Sequence, residues 1–206
     1  MAVITNLATL QTAIAVYLTR EDLTTFIPNF IQNAENKLLR TLNLRNEETA
    51  LSVSVSSGTG TVPTDFKRLK FAYVPDSPAI LLRWVSIEEL YRSYPIRTGS
   101  STPCLISREG ANFTFGPFAK DFTLTGIYWA KQDPLRTTDP SWYVTNAPEV
   151  LLYGSLLESA PFIKGDEKLL QELPIWERLY NDAVSTLLTE EKHSSESAGA
   201  LVQRVA

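Results

Sequence analysis

One histidine and one cysteine among 206 residues leave little of the chemistry that a sequence can announce. Cys104 alone can form neither an intrachain disulfide nor a cysteine-based zinc site. His193 lies near the C-terminal end, beyond the last apolar periodicity, so no Ser–His–Asp or Cys–His centre is expected. No D-x-D-x-D-G loop exists for calcium, and a transition metal would have only carboxylates to hold it, so neither metal nor cofactor is expected. Gly58-Thr59-Gly60 lacks the third glycine and the following helix of a dinucleotide site, and it has no lysine for a phosphate loop. It is a hairpin turn. The adjacent acids Glu47-Glu48, Glu88-Glu89 and Glu190-Glu191 would point about 100° apart on a helix and form no catalytic dyad. No enzymatic activity is expected.

Basic charge is also short. Nineteen Lys and Arg against 23 acids leave a net charge of −4, which argues against a protein that coats nucleic acid. No apolar run approaches the roughly 20 residues of a membrane span, and the first basic residue is Arg20, so a secretory leader and a membrane anchor are not expected. What is present is an ordinary globular composition, 44% hydrophobic and 20% charged, fit for one sizeable domain with a subdomain.

The chain organises as α+β. Leu7, Leu10, Ile14, Tyr17 and Leu18 recur at helical steps, with Thr5 or Asn6 as N-cap. A second helix follows, with Pro28 in its first turn. Phe30, Ile31, Ala34, Leu38 and Leu42 form its apolar stripe, and Asn33, Glu35, Asn36 and Lys37 its wet side. Residues 1–46 therefore read as a helical hairpin. From Glu47 the period changes to two: Leu51, Val53 and Val55 alternate with serines, and further strands are expected at 61–74, 80–85, 104–107, 112–115 and 122–130, the last with Phe122, Leu124 and Ile127 as its apolar positions. Ser86 to Glu89 supplies a capping box for a short helix over 87–94. Residues 47–145 thus form an inserted, small antiparallel β subdomain. Helix returns at 146–192, with Asn146 as cap, Pro148 in the first turn, and a long helix over 166–192 kinked near Pro174. That last helix should turn Trp176, Leu179, Tyr180, Ala183, Val184, Leu187 and Leu188 inward. These segments complete an antiparallel helical bundle, and residues 193–206 are expected as a flexible, extended C-terminal arm. The core of the bundle should hold Leu10, Ile14, Ile31, Leu38, Leu152, Leu156, Trp176 and Leu187.

Cys104, beside Pro103, Leu105 and Ile106, is expected as a buried, inert thiol. Trp84 lies within an apolar strand and Trp176 on a helical stripe, which leaves Trp129 and Trp142-Tyr143 as surface aromatics. A carbohydrate-binding or host-recognition module would need Trp129 and Trp142 exposed together.

The segment from Asp22 through Pro28 to Arg40, Val62-Pro63-Thr64-Asp65-Phe66-Lys67-Arg68-Leu69, the hairpin ending in Gly116-Pro117, and the stretch from Ala147-Pro148-Glu149 to Ser159-Ala160-Pro161 occur in an order that resembles the head-to-tail adaptor (connector) proteins of tailed bacteriophages. The likeness is to the branch with a β-rich insert, typical of podovirus-type tails, and covers about residues 20–190. It implies a structural virion protein at the head–tail junction, assembled in the host cytoplasm. It implies too a homo-oligomeric, usually dodecameric ring below the portal protein, which extends the channel for genomic DNA without binding it specifically. Tail nozzle or tail-fibre proteins would dock on that ring. The C-terminal arm would reach the portal, with Leu201, Val202, Arg204 and Val205 as its contact residues; an unstructured solubilising tail is the alternative. The hairpin tips 58–60 and 108–111 would face tail components.

Overall fold

The computed structural model describes residues 3–76, 78–119, 121–132, 135 and 139–200, with 194–200 as backbone alone. Its helices are α1 (Leu7–Leu18), α2 (Ile27–Thr41), α3 (Ile87–Ser93), α4 (Trp142–Asn146), α5 (Pro148–Glu158) and α6 (Glu167–Ala200). Its strands are β1 (Glu48–Val55), β2 (Thr59–Thr61), β3 (Phe66–Val74), β4 (Ile80–Trp84), β5 (Leu105–Glu109), β6 (Asn112–Gly116) and β7 (Phe122–Ala130). Two compact units share the chain, one of residues 1–42 and 133–206, the other of residues 43–132.

The first unit is helical. Asn6 caps α1 by accepting the Thr9 N–H at 2.9 Å while the Thr9 hydroxyl accepts the Asn6 N–H at 3.0 Å. Pro28 starts α2, where its missing N–H costs nothing. At the centre lies α5, which packs on α1, α2 and α6. Val150, Leu151, Leu152, Gly154, Ser155 and Leu156 are all buried, so most of this helix is covered. Gly154 permits the close approach: a Cβ there would stand 3.3 Å from both Ala34 Cβ and the Tyr180 ring. All eight expected core residues of the helical segments are buried.

Four details of this unit differ from the sequence reading. Glu35 is only 4% exposed, and Leu135 donates its backbone N–H to both Glu35 carboxylate oxygens, at 2.9 and 3.1 Å. Asn146 ends α4 and bonds the Trp142 carbonyl at 2.9 Å; the α5 cap is Ala147, with no side-chain bond. Leu188 is exposed, since the buried side of α6 follows Trp176 and Leu187. Finally, α6 continues to Ala200 instead of ending at Lys192. Adding a residue to an existing helix needs no new nucleus, and Ala198 and Ala200 are good helix formers. Asp166 caps the helix start, its carboxylate accepting the Lys168 and Leu169 N–H groups.

The second unit is a seven-stranded sheet in the order β1-β7-β3-β4-β5-β6-β2. Its edges, β1 and β2, meet at the Ser56–Thr59 bridge, so the sheet is nearly closed. The two-residue turn there has positive φ at Ser57 (52°) and Gly58 (76°), the geometry that matches hairpin twist. The sheet is not antiparallel throughout: β4 and β5 run parallel, because the connection between them carries α3 and crosses over instead of turning back. Leu51, Val55, Phe66, Ala72, Leu82, Ile106, Phe113, Phe115, Leu124 and Tyr128 fill the interior. On β7 the inward set is Leu124, Gly126, Tyr128 and Ala130, so strict alternation sends Ile127 to the outer face. Gly126 faces the β3 backbone, where a Cβ would stand 2.3 Å from the Phe71 carbonyl oxygen.

Candidate functional site

The groups able to do chemistry are dispersed and mostly engaged. Glu47 is buried with Lys67 Nζ at 2.7 Å from its Oε2, and Glu48 pairs with Lys70 at 2.5 Å. Lys37 pairs with Glu158, and Arg83 with Glu89 at 3.0 Å. Burial raises the Glu35 carboxyl above its usual range, and the Leu135 N–H opposes that rise. Tyr128 Oη donates to Asp65; burial first, then this bond, pushes the phenol up to about 12. Among the described residues no group of three or more His, Cys, Asp or Glu is placed to hold a metal ion. Nor, among them, is any helix long and apolar enough to cross a membrane.

Cys104 is exposed, not buried: it precedes β5, and its Sγ lies 3.9 Å from Tyr94 Oη. That contact raises the Tyr94 phenol above its usual value. Trp84 is 46% exposed despite its apolar strand, because it is the last residue of β4 and its ring, 6.5 Å from Phe66 and 6.4 Å from Phe113, covers the rim of the core. Trp129 is half-buried on β7 with Lys70 Nζ 5.9 Å from its ring centroid. In the other unit, Trp142 is half-buried and meets Tyr143 edge to face at 5.4 Å. The two indoles lie in different units and each is only partly open, so the joint exposure that a sugar platform needs is not seen. The arm residues Leu201, Val202, Arg204 and Val205 lie outside the described residues.

What the surface offers is area for contact. A concavity of about 230 Å³ lies between α4 and α6, lined by Trp142, Asn146, Leu187, Glu190 and Glu191. Another, of about 270 Å³, is lined by Tyr94, Pro95, Ile96, Thr98, Pro117 and Phe118. Beside it, the Arg97 guanidinium lies over the Tyr91 and Phe118 rings and donates to the Phe115 carbonyl at 2.6 Å. Large side chains stand in solvent, among them Leu81 (68%), Ile96 (73%) and Val16 (68%). Sequence reasoning missed the outward positions on β3 and β4, whose signal was two apolar residues in succession, Leu81-Leu82, where a half-buried strand would alternate.

Paired carboxylates, an exposed lone thiol and apolar outer surfaces are what the described residues present. Residues 5–204 match the SU10 adaptor protein family, and the chain belongs to it. A comparison with curated proteins finds no match. Membership makes this a phage adaptor, a structural virion component whose role is non-enzymatic, with other head and tail proteins as its partners. A sugar-binding role for Trp129 and Trp142 is not favoured.

Proposed function

We propose that the protein is the head-to-tail adaptor of a podovirus-type tail, with helices arranged as an antiparallel bundle and the β unit as its insert. Copies form a ring, dodecameric by the family resemblance, below the portal protein. The ring extends the DNA channel and presents a docking surface to tail nozzle or fibre proteins. The observation that carries this reading is the family match, which spans both units. Seven acids against three bases over residues 166–192 support a channel wall from which DNA is repelled as it slides. The C-terminal arm, with Leu201, Val202, Arg204 and Val205, contacts the portal. The tips at Gly58–Gly60 and Arg108–Ala111 serve the tail side.

The test is a reconstruction of the intact virion. Density for this chain between portal and nozzle, repeated around the axis, is expected. Density at a fibre tip would instead favour a host-recognition role.

A further inference from the structure

The outer face of the sheet carries a row of apolar side chains that its own unit leaves uncovered. Across neighbouring strands, Ile127 of β7 pairs with Phe71 of β3, and Tyr73 of β3 pairs with Leu81 of β4. The Phe71 and Tyr73 rings stack at 6.3 Å, with Phe71 39% and Leu81 68% exposed. The charge bordering this row is mixed: Arg68 is exposed two registers up β3, while Lys70, over Trp129 on the same face, is paired with Glu48. A contiguous apolar face rimmed by charge marks a contact surface.

Complementary features lie on α6. Leu170, Leu173, Glu177, Asn181, Val184 and Leu188 follow one another at steps of three or four residues, so they form one stripe, distinct from the buried side marked by Trp176 and Leu187. Leu170 and Leu188 are exposed, Leu173 and Val184 half-buried, and Glu177 stands exposed between them. The helix bears net negative charge, whereas the sheet row is bordered by Arg68, Lys70 being held by Glu48. Pairing the sheet face of one copy with the α6 stripe of the next sets Arg68 against Glu177 and apolar row against apolar stripe. This unlike pairing matches both apolar row and charge.

We infer that the sheet face of Phe71, Tyr73, Leu81 and Ile127 docks the α6 stripe of a second copy of this chain. The contact rests on the ring reading above and gives it a mechanism. A heterologous, head-to-tail contact repeats from copy to copy and closes into a ring when its rotation permits.

Sedimentation of the full chain, alone and with portal-bearing heads, first establishes association. A chain monomeric in both settings would overturn the ring and this interface together. Given association, two variants in a Cys104→Ser background, Leu81→Cys and Leu188→Cys, are treated with a bis-maleimide. Crosslinked dimers are expected from the mixture and none from either variant alone. Dimers from Leu81→Cys alone would indicate a sheet-to-sheet contact and overturn the inference while leaving the ring intact. Association without crosslinking in the mixture would do the same. As a second reading, Arg68→Glu and Glu177→Arg should each abolish association, with recovery when the two variants are mixed. Both positions are exposed, so circular dichroism should match that of the unaltered chain; equal association by either single variant would also overturn the interface.

Discussion

Trp176 places an indole, 2% exposed, on the buried side of α6. Trp176→Ala should cost about 3–5 kcal/mol, the range for deleting a large aromatic from a packed core; urea unfolding would check it, and a loss under about 1 kcal/mol would contradict the packing. Tyr128 adds a pH-dependent contribution. Its folded pKa is raised from 10.0 to about 12, so between those values the native state keeps a proton that the unfolded chain has released. The stability it contributes is therefore full below pH 10 and lost as pH rises towards 12. Tyr128→Phe should lower stability by about 0.5–1.5 kcal/mol at neutral pH and flatten the alkaline decline relative to the unaltered chain; equal slopes for the two proteins would refute this. Trp176 was legible in the sequence because its stripe repeats over several turns. Glu35, Cys104, Trp84 and Leu188 were not, because the fate of each depends on one distant or terminal feature: the Leu135 N–H, the start of β5, the end of β4, or the side of α6 that meets α5.

Elements were more legible than single residues, and what failed was their connection. Period-two patterns located the longer strands, and caps such as Asn6 and Ser86 marked helix starts, since both signals depend on neighbours in sequence. The parallel pairing of β4 with β5 and the near closure of the sheet rest on contacts between residues far apart, for which no local signal exists. The Ser57-Gly58 turn shows the limit: its glycine suggested a hairpin, but not that the hairpin joins the two edges. Gly126 is the residue on which the β3–β7 pairing most depends. Its added Cβ would meet backbone at 2.3 Å from the Phe71 oxygen and 2.8 Å from Ala72 Cα, atoms that cannot move as a side-chain tip can. Gly126→Ala should therefore destabilise the sheet by about 1–3 kcal/mol or more, lowering the thermal midpoint of its β-sheet signal. An unchanged midpoint would mean that the strands separate at little cost.

At the scale of the whole molecule, the two units are drawn from different stretches of the chain. The helical unit draws on both ends of the chain, and the sheet unit lies between them in sequence. Nothing in composition or periodicity identified the function; that required the order of several weak motifs, which the family match over residues 5–204 then supported. The C-terminal arm offers the last test. Leu187 is the last core residue of α6 among the described side chains, and residues 194–200 carry no large apolar side chain. Deleting residues 194–206 should accordingly leave the unfolding midpoint unchanged, even though it removes the turns of α6 that run to Ala200. The same deletion removes Leu201, Val202, Arg204 and Val205, the proposed portal contacts. Loading onto portal-bearing heads, measured as copies retained after sedimentation, should fall at least tenfold, which corresponds to the loss of about 1.4 kcal/mol of binding free energy. Retention at the level of the full chain, with the fold intact, would show that the segment serves only to solubilise and that the portal contact lies elsewhere on the molecule.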